Sequence, residues 1–446
     1  MQAEWITTLF QNNKKEQQRK ELIMSDDQGE ENQLVTLYPD RTYQSMKGFG
    51  GALTDSAGYV YSQLSKEQKE EIIGNYYSEQ GMNYILARIH IDSCDFSLEH
   101  YEADPDPEDE EFLHFSMDRM KKYIYPLYLD VKKECKTPVE IMVSPWSPPA
   151  YMKTNAARNG GGKLKDEYRK RWAAYLCRYI CELKKLGLQI TRLSIQNEPK
   201  AEQTWDSCVY TAQEEKEFLR DFLYPEMVEH GLEQIGIFIW DHNKERVYER
   251  AKEMIDETTN HYISGIAFHW YSGDHFEALG LVREAFPDKE LILSEACIEY
   301  CKYGADDYLG NAQKYAHDII GNLNQGMQAF FDWNILLDEE GGPNHVKNYC
   351  DAPYLFDTKK KELIERNTLS YLWHFSHFIL PGSRRIACSR YTDQVEVTAF
   401  KRPDGSFVAV ILNRTKETVP VNLRMEGMVC ENLVLPESIQ TIVIHV

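Results

Sequence analysis

Short apolar runs alternate along most of the chain with longer stretches of helical period. Lys47–Leu53, Tyr84–Ile91, Val139–Val143, the first half of Ile190–Pro199, Ile235–Ile239, Gly265–Phe268, Leu291–Leu293 and Met327–Phe331 are too short for helices and rich in aliphatic residues, so they read as strands. Helical periodicity fills the gaps at Ala57–Ser78, Ser116–Cys135, Lys165–Leu186, Thr211–His230, Glu245–Glu257, Phe276–Phe286 and Asn311–Asn324, with a last helix at Leu363–Ile379. Strands that alternate with helices predict a parallel sheet. Eight such repeats without a dinucleotide fingerprint predict a closed (β/α)8 barrel of the α/β class, spanning residues 46–380. Gly48–Gly51 lacks the Lys-Ser/Thr ending of a phosphate loop, so its glycines are expected to let two backbones approach closely.

Beyond Ile379 the pattern shortens. Val395–Lys401, Phe407–Asn413, Val419–Leu423 and Ile439–His445 alternate polar and apolar residues, and Pro403-Asp404-Gly405-Ser406 supplies a hairpin turn. Residues 381–446 are few for a free-standing sandwich. Strands within residues 1–45 (Glu4–Phe10 and Leu34–Tyr38) are therefore predicted to complete it, with a Lys/Glu-rich turn after the first, and Tyr43–Lys47 is a short strand leading into the barrel.

The chemistry gathers where the strands end. In this barrel the active site forms at the carboxyl ends of the strands. The fourth strand ends in Gln196-Asn197-Glu198-Pro199, where proline stops the ladder, and the seventh ends in Ser294-Glu295. These two glutamates approach one mouth from nearly opposite sides, as glycoside hydrolysis requires: one carboxyl kept protonated, the other ionised. Trp146, Trp270, Tyr271 and Trp333 also lie at strand ends and offer faces to sugar rings. A metal-assisted hydrolase on Asp95, His269 and Glu295 is the alternative chemistry, but those residues lack the spacing of a metal motif. A catalytically inactive carbohydrate-binding barrel is the alternative of a different class; it would have lost one carboxylate.

Composition narrows the class. A formal charge of −21 on 446 residues argues against nucleic-acid partners and anionic membranes. Met1–Met24 has no apolar core of signal-peptide length, and no run reaches the roughly 18 apolar residues of a membrane helix. A cytoplasmic protein without stable membrane insertion is expected. Ten scattered cysteines, none in a C-x-x-C pair, read as free thiols, with no metal expected.

The ordered motifs make the chain resemble glycoside hydrolase family 30, within it the acid β-glucosidase (glucosylceramidase) branch. They are Lys47–Ala52 with Thr54-Asp55, Ser93–Ser97, Ser144-Pro145-Trp146, Lys153-Thr154-Asn155, Asn197-Glu198-Pro199 and His269-Trp270-Tyr271. Ser294–Cys297, Asp332-Trp333-Asn334, Gly341–Asn344 with Asn348, Asp404-Gly405-Ser406 and Leu412-Asn413-Arg414 follow. The resemblance implies a retaining mechanism without a cofactor, Glu198 as general acid/base and Glu295 as nucleophile, ~5–5.5 Å apart. It implies that Asn197 binds the 2-hydroxyl, that Asp95, Trp146, Trp333 and Asn348 contact the sugar, and that His269 and Tyr271 hold the nucleophile. Arg88 is expected to pair with a carboxylate below the site. The chain departs from that branch at His90, His345 and Tyr349, and carries an acidic loop at Asp104–Glu111. The expected substrate is a β-glucoside or short gluco-oligosaccharide, with β-1,6-glucan, β-xylosides or β-fucosides as alternatives.

Overall fold

Along the strand Leu86–Ile91, Ala87, Ile89 and Ile91 join the large core beneath the helices, while Leu86 belongs to a small separate cluster inside the barrel. This period-two alternation is what a strand between two apolar layers demands. It recurs in the third strand, Glu140–Pro145, where Met142 lies inside and Ile141 and Val143 pack outward. Leu86, Met142, Phe238, Ala267, Ile292, Ala329 and Phe331 together fill the barrel interior. Arg88, two residues above Leu86, therefore emerges inside the barrel toward its carboxyl end.

The computed structural model describes residues 2–11 and 13–445. Eight parallel strands close the barrel: Gly48–Ala52, Leu86–Ile91, Glu140–Pro145, Gln189–Ser194, Gly236–Asn243, Ile263–His269, Glu290–Glu295 and Ala329–Asp332. The glycine cluster does what its composition suggested. A Cβ on Gly50 would lie 2.0 Å from the Leu86 carbonyl oxygen, so only glycine admits this approach of the first two strands.

A ten-stranded sheet stands beside the barrel and takes strands from both ends of the chain. Gln2–Gln11 pairs with Ser438–His445, and Leu34–Ser45 lies between Arg384–Arg390 and Val419–Met425. Its inner face is lined by Trp5, Val35, Leu37, Ile411, Leu423 and Ile442 among others. The expected Lys/Glu-rich turn is instead an edge strand, Lys14–Ile23, paired residue by residue with Gln2–Gln11. Only Leu22 of its side chains is buried, so no apolar alternation marks it, and charge on an edge strand blocks further pairing.

Other boundaries also moved. Ala57–Ser78 is two helices, Asp55–Ser62 and Lys66–Tyr77, the second opened by a Ser65/Gln68 capping box. The helix expected from Leu363 begins at Asn367, because Glu362–Glu365 belongs to a three-stranded sheet with Leu336–Asp338 and Tyr354–Asp357. Met428–Val434 is a further sandwich strand, reached through a hairpin turn with positive φ at both Glu426 and Gly427.

Candidate active site

A cavity of about 110 Å³ opens at the carboxyl end of the barrel. Its lining includes Asp95, Trp146, Asn197, Glu198, Tyr271, Glu295, Trp333 and Asn348, eight of the nine residues expected there from sequence. The ninth, His269, is fully buried outside the lining.

Glu295 ends the seventh strand. Its Oε2 accepts from Arg88 Nη1 at 2.6 Å and its Oε1 from the Tyr271 hydroxyl at 2.8 Å. Both oxygens are thus oriented, by a donor on the second strand and one just past the end of the sixth. Arg88 is shared: Nη2 donates to Asp241 Oδ2 at 2.9 Å and to Asn197 Oδ1 at 2.8 Å, and Nε to Ser144 Oγ at 3.2 Å. Its guanidinium lies 4.8 Å from the Trp146 ring and 5.4 Å from that of Trp333. Those two indoles are stacked, 5.3 Å apart and 16° from parallel. The carboxylate expected to pair with Arg88 is therefore Glu295 itself, together with Asp241.

Glu198 follows the fourth strand in a left-handed backbone conformation, φ 48°. Its neighbours are imidazoles: His269 Nδ1 at 3.1 Å and His242 Nδ1 at 3.6 Å from Oε1. The His269 side chain thus hydrogen-bonds Glu198 rather than Glu295, contrary to the expectation that it holds the nucleophile. Its Nε2 faces Asp241 Oδ1 at 3.1 Å. Burial alone would lift the Glu198 carboxyl, but His242 and His269 outweigh it and hold it well below the usual range. Burial pulls His269 the other way, yet Glu295, Asp241 and Glu198 around it push its pKa up to about 9. Asp95 has no such cations. Burial, then Glu295 and Glu198, push its carboxyl well up.

Strand parity alone would hide Asp241. Phe238 points into the barrel, so Asp241 should point out. Trp240 and Asp241 both take positive φ, 74° and 47°, and the register against the sixth strand shifts there. The extra residue turns Trp240 into the outer core and Asp241 inward. Buried there, Asp241 would be raised, but Arg88 and then His269 hold it well down. His242, next along, lines the cavity and was also passed over; its place in a polar strand end was the available signal. Trp270 faces away from the cavity, in the outer core, with Nε1 donating to the Cys297 carbonyl at 3.1 Å.

Comparison with known proteins agrees with this fold. The family model described as Glycosyl hydrolase family 30 TIM-barrel domain matches residues 46–379, and that described as Glycosyl hydrolase family 30 beta sandwich domain matches residues 382–442. Lysosomal acid glucosylceramidase of Mus musculus is 33% identical over 408 residues, covering 87% of this chain and 79% of that protein. Endo-1,6-beta-D-glucanase of Neurospora crassa is 24% identical over 428 residues, 90% of this chain and 86% of that one. The crystal structure of SrfJ from Salmonella typhimurium superposes with a TM-score of 0.95 at 34% identity, covering 99% of each chain.

Proposed function

This chain belongs to glycosyl hydrolase family 30, a family of glycosidases, and from that premise we propose that it is a retaining β-glucosidase acting on glucosides or short gluco-oligosaccharides. One observation carries the reading: two carboxylates from the carboxyl ends of the fourth and seventh barrel strands share a small cavity but are held by unlike partners. In this reading Glu295, its oxygens oriented by Arg88 and Tyr271, attacks the anomeric carbon and displaces the aglycone oxygen. That oxygen takes a proton from Glu198. Because His269 sits on the same carboxylate, the proton belongs to the Glu198–His269 pair rather than to either group alone. The ionised pair then removes a proton from water as the water attacks the glycosyl–Glu295 bond, releasing the sugar and restoring Glu295.

The cavity supports release of a terminal residue. At about 110 Å³ it falls well below the ~300 Å³ where pockets for larger ligands begin, which suits one sugar ring. Asp95, Asn197 and Asn348 offer hydrogen bonds to hydroxyls, and Trp146 and Trp333 an apolar wall. The charge of −21 disfavours extraction of a substrate from an anionic bilayer, and no helix among the described residues is long and apolar enough to cross one. All ten cysteines are free, which supports a cytoplasmic setting.

The test is nitrophenol release from aryl β-glucoside, xyloside, fucoside and galactoside, with Glu295→Gln as blank and NMR of the first anomer released. Preference for the glucoside, lost in the variant, with the β-anomer appearing first, is the expected result. First appearance of the α-anomer would overturn retention. Preference for xyloside or fucoside would overturn the glucose subsite. Silence on every aryl glycoside with cleavage of β-1,6-glucan would make the enzyme an endoglucanase.

A further inference from the structure

Beside the sugar cavity three loops bring together a second polar cluster that the reaction does not use. His100 follows the second barrel strand, Asp206 the fourth and His345 the eighth. One donor atom from each lies within 4.8 Å of the other two. His100 Nδ1 is 3.0 Å and His345 Nε2 3.8 Å from the same oxygen, Asp206 Oδ2. The imidazoles meet edge to face, with centroids 4.5 Å apart.

We propose that His100, Asp206 and His345 form a divalent-cation site, with zinc the metal that fits best, clamping three loops at the mouth of the cavity. A tetrahedral zinc with bonds of about 2.0–2.1 Å holds its donors roughly 3.3–3.5 Å apart, and the two distances to Asp206 bracket that spacing. Two imidazoles and one carboxylate form a set that zinc accepts, leaving a fourth position for water.

The orientation of His345 is the independent sign. Its Nδ1 lies 3.1 Å from the Ser97 carbonyl oxygen, an acceptor only, so Nδ1 carries the hydrogen and Nε2 keeps a lone pair. That Nε2 is buried, has no hydrogen-bond partner, and faces the cluster from a side chain only 9% exposed. A ring hydrogen-bonded at one nitrogen and bare at the other is how metal-binding histidines are held. Asp206 is prepared in the same manner. Arg158 Nε and Ser93 Oγ bind Oδ1 at 2.5 and 2.8 Å, leaving Oδ2 to the histidines. Arg158 also faces Asp92 and Glu102, each at 3.6 Å, so the local carboxylates outnumber the fixed cation.

The site touches the cavity through sequence neighbours. Trp205, beside Asp206, lines it, and Asn344, beside His345, points its amide at Asp95 Oδ2 from 3.5 Å. The sequence suggested no metal because these ligands lie 106 and 139 residues apart, far outside any short spacing motif.

The experiment is titration of chelator-treated full-length protein with Zn²⁺ by calorimetry, with Mg²⁺ as control and Co²⁺ as a spectroscopic reporter. One zinc per chain with a Kd below about 1 μM, and a visible tetrahedral Co²⁺ band, are expected. His100→Ala, at an exposed position, and His345→Phe should each weaken zinc by more than about 10–100-fold while leaving the circular dichroism unchanged. Zinc a hundredfold above Kd should raise the unfolding midpoint of the parent by roughly 1 °C or more, but not that of the double variant. His242→Ala, the control for the imidazoles at Glu198, should bind zinc like the parent. Absence of zinc binding, zinc retained by the double variant, or zinc lost with His242→Ala would overturn the assignment. None of these readouts depends on glycosidase activity.

Discussion

Glu198 and Glu295 are the same side chain in one cavity, and their neighbours make them chemically different. Glu295 is gripped by a guanidinium and a phenol, Glu198 by two imidazoles. Two predictions belong at this scale. Arg88→Gln removes the donor on Glu295 and leaves buried Asp241 with His269 in place of its stronger cation. The kcat should fall by roughly 10²–10³-fold, the scale of one lost positioning donor. Stability should fall by about 3–5 kcal/mol, read from urea unfolding. His269 gives a signed pH effect. Its folded pKa, about 9, lies above the ordinary 6.5, so its contribution to stability is complete below about pH 6.5 and is lost as pH rises through about 9. The parent should therefore lose stability across that interval, and His269→Gln should flatten the loss. In the same variant the alkaline limb of kcat/KM should move toward lower pH, because in the proposed mechanism Glu198 loses the partner that stores its proton.

At the scale of elements, the close approach of the first two barrel strands depends on one missing methyl group. Gly50→Ala would press a Cβ against a backbone carbonyl that cannot rotate away, so a loss of about 3 kcal/mol or more is expected by urea unfolding. Gly74 is the contrast. It lies in the helix Lys66–Tyr77 with nothing within 4 Å of where its Cβ would be, so Gly74→Ala should stabilise by about 0.5–1 kcal/mol. Elements were legible wherever burial imposed a period. The eight barrel strands sit between two apolar layers and appeared as apolar runs. Lys14–Ile23 faces solvent almost throughout and left no trace as a strand, while Met428–Val434 carried alternation and a Glu426-Gly427 turn that were available to be read.

Over the whole molecule, barrel and sandwich share a core. Ile6, Phe400, Val408, Val410, Leu412, Ile439 and Val443 of the ten-stranded sheet belong to the same apolar cluster as the barrel helices. His374, on the helix Asn367–Ser376, pins the junction: Nδ1 meets Thr441 Oγ1 and Nε2 meets Thr8 Oγ1, both at 2.8 Å. Burial, with the charges of Lys15, His377 and Arg19, pushes its pKa down to about 3. Below about pH 6.5 the unfolded chain takes up a proton that the folded one refuses, so stability should fall between pH 6.5 and 3. His374→Gln should lessen that acid loss, measured as the urea midpoint against pH.

The sequence alone determined the eight-stranded barrel, the supply of sandwich strands from both termini, and the pair of glutamates at strand ends, because each rests on local period or on position along a strand. Only the tertiary structure decided which carboxylate His269 serves, that Asp241 turns inward through two left-handed residues, and that Arg88 joins Glu295, Asn197 and Asp241 in one network. It also brought His100, Asp206 and His345 together. These depend on a one-residue slip in strand parity and on loops that meet only when the barrel closes, and neither leaves a period in the chain.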